Sequence, residues 1–474
     1  MFATVWLVIL LYHSPASTFV IQDSYRITQS TQTSASARRS VDCVEGPFEA
    51  KLLTEYWGRQ PLLIRNAFDP TEILNEPTVI FELACYDGDN DAEMNTGQSA
   101  RIIQFSPDIL DSYSLELGPF QREYIDQLGK NGLKWSLLVN DVDRYMPEVS
   151  DWMDKEFRFL PRWRRDDAQI SVASKGGGIG PHVDNYDVFL VQSRGKRSWL
   201  VGNDKLTAAA ERMALVPDIS VSILKGDYDY SELLLEPGDV LYLPPRVVHW
   251  GTSLSDDCMT ISVGSRAPSA AELVARVAET MIDSVAAPVT MRYADENLLK
   301  ENTTKGASLN KEVKDSMRNL VLRAVNDVLD DEVVFDELVG RLVTEPKRLP
   351  YDALHPWDDV DDDEYYEAFE ETLDAVLDRV LDGKGTLYRA EGIPFATSRV
   401  IRRDGGNIDR LYACGELFEI QDDEKAASVF ERIEQGHALN EKNISGLTPG
   451  LREILDKLVA EGFLDASDDS DEER

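Results

Sequence analysis

Apolar positions change rhythm several times along the chain. Between Glu45 and Asp69, Phe48, Leu52, Leu53, Tyr56 and Trp57 recur at helical spacing, and Pro61-Leu62-Leu63-Ile64-Arg65 then reads as a short strand. Residues 70–150 mix helical stretches with polar loops. From Gln169 to Pro268 the chain breaks into short apolar runs separated by Gly, Pro and Asp, at 169–173, 186–192, 198–201, 240–243 and 259–263. Several short strands with turn signals between them predict a sandwich or barrel.

After Pro268 the period becomes helical. Ser269 and Glu272 have the spacing of a capping box, and Leu273, Val274, Val277, Met281 and Val285 follow on one face. A second helix starts near Asn310, with Val313, Met317, Leu320, Val321, Ala324 and Val328 on one side, and more helix runs toward Val343. These pieces predict a small bundle of the kind that often forms dimer interfaces. Residues 352–378 are dense in acids and read as a solvated linker or helix face. Beyond them, candidate strands at 386–389, 396–402 and 409–420 precede two helices. The second has Thr448 as its cap and Pro449 at its first position, and stops at Gly462. Short strands with a few helices suggest a winged-helix-like module, and the acidic tail 465–474 reads as disordered.

The length of 474 residues calls for two or three domains. The resulting plan is a presequence (1–44), a β-rich catalytic core (45–268), a helical segment with an acidic linker (269–375), a winged-helix-like domain (376–464) and the tail. A formal net charge of −37 argues against non-specific nucleic-acid binding, which needs cations against phosphates. It favours a basic partner such as a ribosomal protein or histone, although charge of this size also simply keeps a protein soluble. The four cysteines are scattered, so neither a zinc knuckle nor a disulfide framework is expected.

At the N-terminus, residues 5–11 form an apolar run too short to span a membrane, followed by small residues and a secretory-type cleavage site near Phe19. Residues 24–41 then lack acids and carry Ser, Thr and Arg, like a transit peptide. Together they match the signal-plus-transit presequence of an alga with a secondary plastid. A mitochondrial or plain secretory route is the simpler alternative. In each case the mature chain has no membrane segment.

The chemistry concentrates in Gly176-Gly177-Gly178-Ile179-Gly180-Pro181-His182-Val183-Asp184. In an extended chain His182 and Asp184 point the same way. An imidazole and a carboxylate are two ligands of the non-heme Fe(II) facial triad. His249, behind the run 236–245, suits the third place on a neighbouring strand, and the chain has only five histidines. The competing reading is a hydrogen-bonded His/Asp pair with a structural histidine. Such triads leave room for 2-oxoglutarate, whose far carboxylate needs a cation. Arg197 can grip it with two parallel hydrogen bonds and shares parity with Trp199, which favours it over Lys196. Otherwise, Arg194, Lys196 and Arg197 are a basic surface turn.

GGGIGPHVDNYDVFLVQSRGKRSWLVG, EPGDVLYLPPRVVHWG and SVGSRAP closely resemble the JmjC/cupin ribosomal oxygenases, above all the bacterial-type branch that hydroxylates an arginine of a large-subunit ribosomal protein. PFEAKLLTEYWGRQPLLIRNAF, TLYRAEGIPFATSRVIR and LYACGELFEI extend the resemblance from about Gly46 to Leu464. It implies an α+β chain with a double-stranded β-helix core, a helical dimerisation domain and a C-terminal winged helix. It also implies Fe(II) on His182, Asp184 and His249, with 2-oxoglutarate held by Arg197 and Ser171. The activity implied is hydroxylation of a basic ribosomal protein, by a homodimer, with release of succinate and carbon dioxide. Tyr186 and Trp250 are candidate groove residues. Thr260 departs from the bacterial pattern, where Asn or another polar residue is expected, and Ala173 is less polar than expected. The alternatives are a JmjC histone demethylase, which would need a nuclear address, and a non-catalytic cupin scaffold on the ribosome.

Overall fold

The computed structural model describes residues 41–85, 100–106, 112–216, 222–226, 228–283, 291–294, 309, 311–345, 376–390, 392–402 and 404–468. Most of the presequence, the acidic linker up to residue 375 and residues 469–474 lie outside the described residues. Among the described residues, no helix is long and apolar enough to cross a membrane.

Two sheets build the core. The larger has nine strands in the spatial order Asp42–Glu45, Leu62–Arg65, Val240–Leu243, Asp187–Arg194, Cys258–Ser265, Arg165–Ala173, Lys134–Val139, Ala100–Phe105 and Ser114–Leu117. The smaller places Arg197–Lys205 between Val247–Ser253 and Tyr230–Leu235. Leu63, Val188, Leu190 and Leu241 from the large sheet pack with Trp199, Val201, Leu235 and Val247 from the small one, so the sheets face each other across an apolar layer. The large sheet's other face is covered by Phe48, Leu52, Ile80, Trp152 and Phe157, which come from the N-terminal helices and loops.

The predicted strands are present: those at 169–173, 198–201 and 259–263 lengthen to Arg165–Ala173, Arg197–Lys205 and Cys258–Ser265, whereas 240–243 keeps its bounds and the first begins at Leu62. Three strands between Ala100 and Val139 were not expected, because that region reads as helices and polar loops. Lys134–Val139 is buried along nearly its whole length, so it lacks the alternation that marks a strand with one solvated face. Tyr230–Leu235 and Val247–Ser253 were also unpredicted. His249 sits inside the second of these, in register with Val201. The Gly-rich segment differs in the opposite direction. The strand starts only at Asp187, and His182 makes an isolated antiparallel bridge to His249. In the first helix Leu53 faces solvent, and the core face is Phe48, Leu52 and Tyr56.

Helices Ala270–Asp283, Lys311–Leu329 and Glu332–Thr344 share a small core around Val277, Val328 and Leu338. The capping box at Ser269 and Glu272 closes as expected, each backbone N–H bonded to the other's side chain at 2.7 and 3.2 Å. The C-terminal module has its own core. The run expected as one strand at 409–420 is a hairpin, Asn407–Ala413 and Glu416–Gln421, turned at Cys414 and Gly415, which both have positive φ. The tail is ordered further than its acidity suggested. Leu464–Asp468 pairs with Gly385–Arg389, so backbone pairing outweighs composition there.

Candidate metal and co-substrate site

The Gly-rich loop fits against the His249 strand because Gly178 has no side chain. A Cβ on Gly178 would lie 2.3 Å from the Gly251 carbonyl oxygen. Gly180, at φ +83°, then turns the chain so that its carbonyl meets the ring of His182. These two features bring His182 and Asp184 to His249.

The metal-binding atoms of His182, Asp184 and His249 lie within 4.8 Å of one another, and His249 Nε2 is 3.5 Å from Asp184 Oδ2. His182 Nδ1–H donates to the Gly180 carbonyl and His249 Nδ1–H to the Val247 carbonyl, both at 3.0 Å. A carbonyl can only accept, so each Nδ1 carries the proton and each Nε2 presents a lone pair to the cluster. His249 is 1% exposed, and burial, followed by the neighbouring His182, pushes its pKa down to about 4. Its imidazole is neutral near pH 7, the form a metal requires. Two imidazoles and one carboxylate, converging from one side, are the donor set of a facial triad.

Arg197 opens the central strand of the small sheet and is 5% exposed. Its Nη1 donates to Ser171 Oγ at 3.3 Å, while Nε and Nη2 are buried without an acceptor among the described residues. Two adjacent buried guanidinium donors match one carboxylate. Lys196 points the other way and pairs with the exposed Glu236, as parity predicted. Ser171 Oγ donates to the Thr260 carbonyl at 3.3 Å, and Thr260 Oγ1 donates to Gln192 Oε1 at 3.1 Å. The departure at Thr260 thus acts behind Ser171, within the barrel wall.

All five residues line one cavity of about 400 Å³. Tyr186 also lines it, whereas Trp250 does not, because the alternation that turns His249 inward turns Trp250 away. Asn140, Asp141, Asp167 and Gln169 form an unpredicted polar wall. Asp167, Gln169 and Ser171 alternate along one strand, a signal present in the sequence. From Ser171 to Asp167 that face runs about 13 Å along the cavity wall.

The residues 153–273 match the JmjC domain family. A probable ribosomal oxygenase of Haemophilus influenzae is 36% identical over 226 residues, covering 47% of this chain and 50% of that protein. The match therefore spans half of that relative's length. The ribosomal protein uL16 3-hydroxylase of Escherichia coli is 29% identical over 320 residues, 67% of this chain and 77% of the relative. The E. coli ribosomal oxygenase YcfD, solved in complex with cobalt and 2-oxoglutarate, superposes with a TM-score of 0.62 at 25% identity, over 88% of this chain and 98% of that one. The donor set and the two free Arg197 nitrogens fit those two ligands. Sequence, fold and site agree: this chain carries a JmjC domain and is similar to the ribosomal oxygenases.

Proposed function

We propose that the chain is an Fe(II)- and 2-oxoglutarate-dependent hydroxylase acting on an arginine side chain of a large-subunit ribosomal protein. The observation that carries this reading is the shared cavity, with three metal-type ligands beside a buried, carboxylate-ready arginine. His182, Asp184 and His249 would hold the metal, and Arg197 with Ser171 would anchor the co-substrate. When bound, iron with 2-oxoglutarate and dioxygen supplies the oxidising power that places one oxygen atom on a C–H bond, releasing succinate and carbon dioxide.

The chain's own residues do the rest. The Nδ1 hydrogen bonds hold both imidazoles in the metal-binding tautomer. Val188 and Leu190 keep part of the cavity wall apolar. Asp141 and Asp167 offer carboxylates to an incoming guanidinium. The net charge of −37 steers a basic protein toward the site.

A homodimer belongs to the same proposal, supported by Val274, Ile282, Val321 and Leu322, which stand exposed on the helical segment. So does plastid import, which rests on the composition of residues 1–44. The test is mass spectrometry of ribosomal proteins incubated with the chain lacking its presequence, Fe(II) and 2-oxoglutarate. Gain of one oxygen on an arginine of one basic protein, absent with His182→Ala, is expected. Turnover of 2-oxoglutarate with no modified ribosomal protein would redirect the search to another protein substrate.

A further inference from the structure

Trp199 lines the cavity beside the residues that would hold the metal and the co-substrate. It lies two positions along the strand from Arg197, on the same inward face. Its ring centroid is 5.8 Å from that of His249, and the Arg197 guanidinium carbon is 5.7 Å from the same ring. Trp199 therefore stands between the metal-type cluster and the carboxylate anchor.

Its environment fixes how the ring lies. Trp199 pairs with Gly251 across the small sheet. A Cβ on Gly251 would come within 2.8–2.9 Å of Trp199 Cη2, Cζ3 and Cζ2, so the benzo edge rests directly on the glycine backbone. The side chain is 4% exposed, and its indole Nε1 is buried with no hydrogen-bond partner among the described residues. An indole N–H can only donate. A buried donor without an acceptor is costly, and native proteins rarely keep one without a reason. Trp199 lines the same cavity as Arg197, and both residues carry buried nitrogens without an acceptor among the described residues.

We propose that the Trp199 indole N–H donates a hydrogen bond to a carboxylate oxygen of the acid that bridges the His182/Asp184/His249 cluster and Arg197. Trp199 is then a co-substrate-binding residue, and Arg197, Ser171 and Trp199 together satisfy that acid. This rests on the hydroxylase reading, because it takes 2-oxoglutarate as the bridging acid. A purely packing role would make the ring matter and the N–H irrelevant, and Trp199→Phe separates the two.

The experiment is calorimetric titration of 2-oxoglutarate into the full chain loaded with Mn(II), comparing wild type with W199F and measuring Mn(II) affinity on each. The expected result is about tenfold weaker 2-oxoglutarate binding in W199F with Mn(II) affinity unchanged. Equal 2-oxoglutarate affinity overturns the proposal while leaving the hydroxylase reading intact. Failure of the wild type to bind 2-oxoglutarate removes both. Should W199F not fold, indole-15N-labelled wild type decides. One of the indole N–H signals shifted by Co(II) must move again when 2-oxoglutarate is added, and an unmoved set overturns the proposal.

Discussion

His182 and His249 hold each other in place through their backbones. The His182 N–H donates to the His249 carbonyl at 3.0 Å, and the His249 N–H returns the bond at 2.9 Å. This two-residue bridge sets the imidazole centroids 4.1 Å apart on one face. Asp184 is tied to the same strand region, its carbonyl accepting from Arg246 N–H at 2.8 Å. The ligands are thus arranged by main-chain bonds.

Removing a ligand side chain should therefore abolish metal binding without unfolding the core. For His182→Ala and Asp184→Ala, Mn(II) affinity is expected to drop by about a hundredfold or more, with near-UV circular dichroism preserved. Unchanged Mn(II) affinity in both variants would exclude this cluster as the metal site.

Arg197→Lys keeps the charge and loses the paired donors. Affinity for 2-oxoglutarate should fall by about ten- to a hundredfold, and Ser171→Ala, which removes one contact of Arg197 Nη1, should cost only a few-fold. Calorimetry on the Mn(II)-loaded protein reads both. A lysine variant that binds as tightly as wild type would show that Arg197 is not the anchor.

The acidic wall is expected to act on the protein substrate alone. Asp141 N–H lies 3.5 Å from Asp167 Oδ2, which places the two residues side by side. Asp167→Asn and Asp141→Asn should lower kcat/KM for a basic ribosomal protein by about tenfold or more, while 2-oxoglutarate affinity stays constant. Equal loss of 2-oxoglutarate binding would mean the wall supports the whole cavity.

Asp143 makes stability pH-dependent in a direction opposite to the usual carboxylate. Burial raises its pKa from 3.8 to about 6, against the lowering effect of its hydrogen bond from Ala168 N–H at 2.8 Å. The folded state thus holds this proton more tightly than the unfolded state. Its ionised form weakens folding above pH 6, and the penalty disappears as pH falls through 6 toward 3.8. Asp143→Asn keeps the acceptor and removes the charge. It should stabilise by about 2–3 kcal/mol at pH 8 and by almost nothing near pH 4. Taking the difference from wild type at each pH cancels the opposite contribution of His249, whose lowered pKa costs stability as pH falls from 6.5 to about 4. Denaturant melts that show an equal effect at both pH values would refute the assignment.

Local pattern carried much of the site. The Gly-run followed by His182 and Asp184, the parity of Arg197 with Trp199 and the capping at Ser269 and Thr448 are each set by neighbours within a few residues, so they are legible in one dimension. Period-2 alternation also held Asp167 and Gln169 beside Ser171, although nothing local marked them as a cavity wall.

The strands that escaped notice are those whose environment is not local. Lys134–Val139 is buried on both faces, and Val247–Ser253 mixes apolar residues with His, Gly, Thr and Ser because one face lines a cavity. By itself the sequence determined which residue types could hold a metal and an acid, and which face of each predicted strand they share. Only the tertiary structure decided that His182 meets His249, that Trp199 lies between His249 and Arg197, and that Asp141 joins Asp167. Those pairings come from strand register and from backbone approach at Gly178 and Gly251, which depend on residues far apart in the chain.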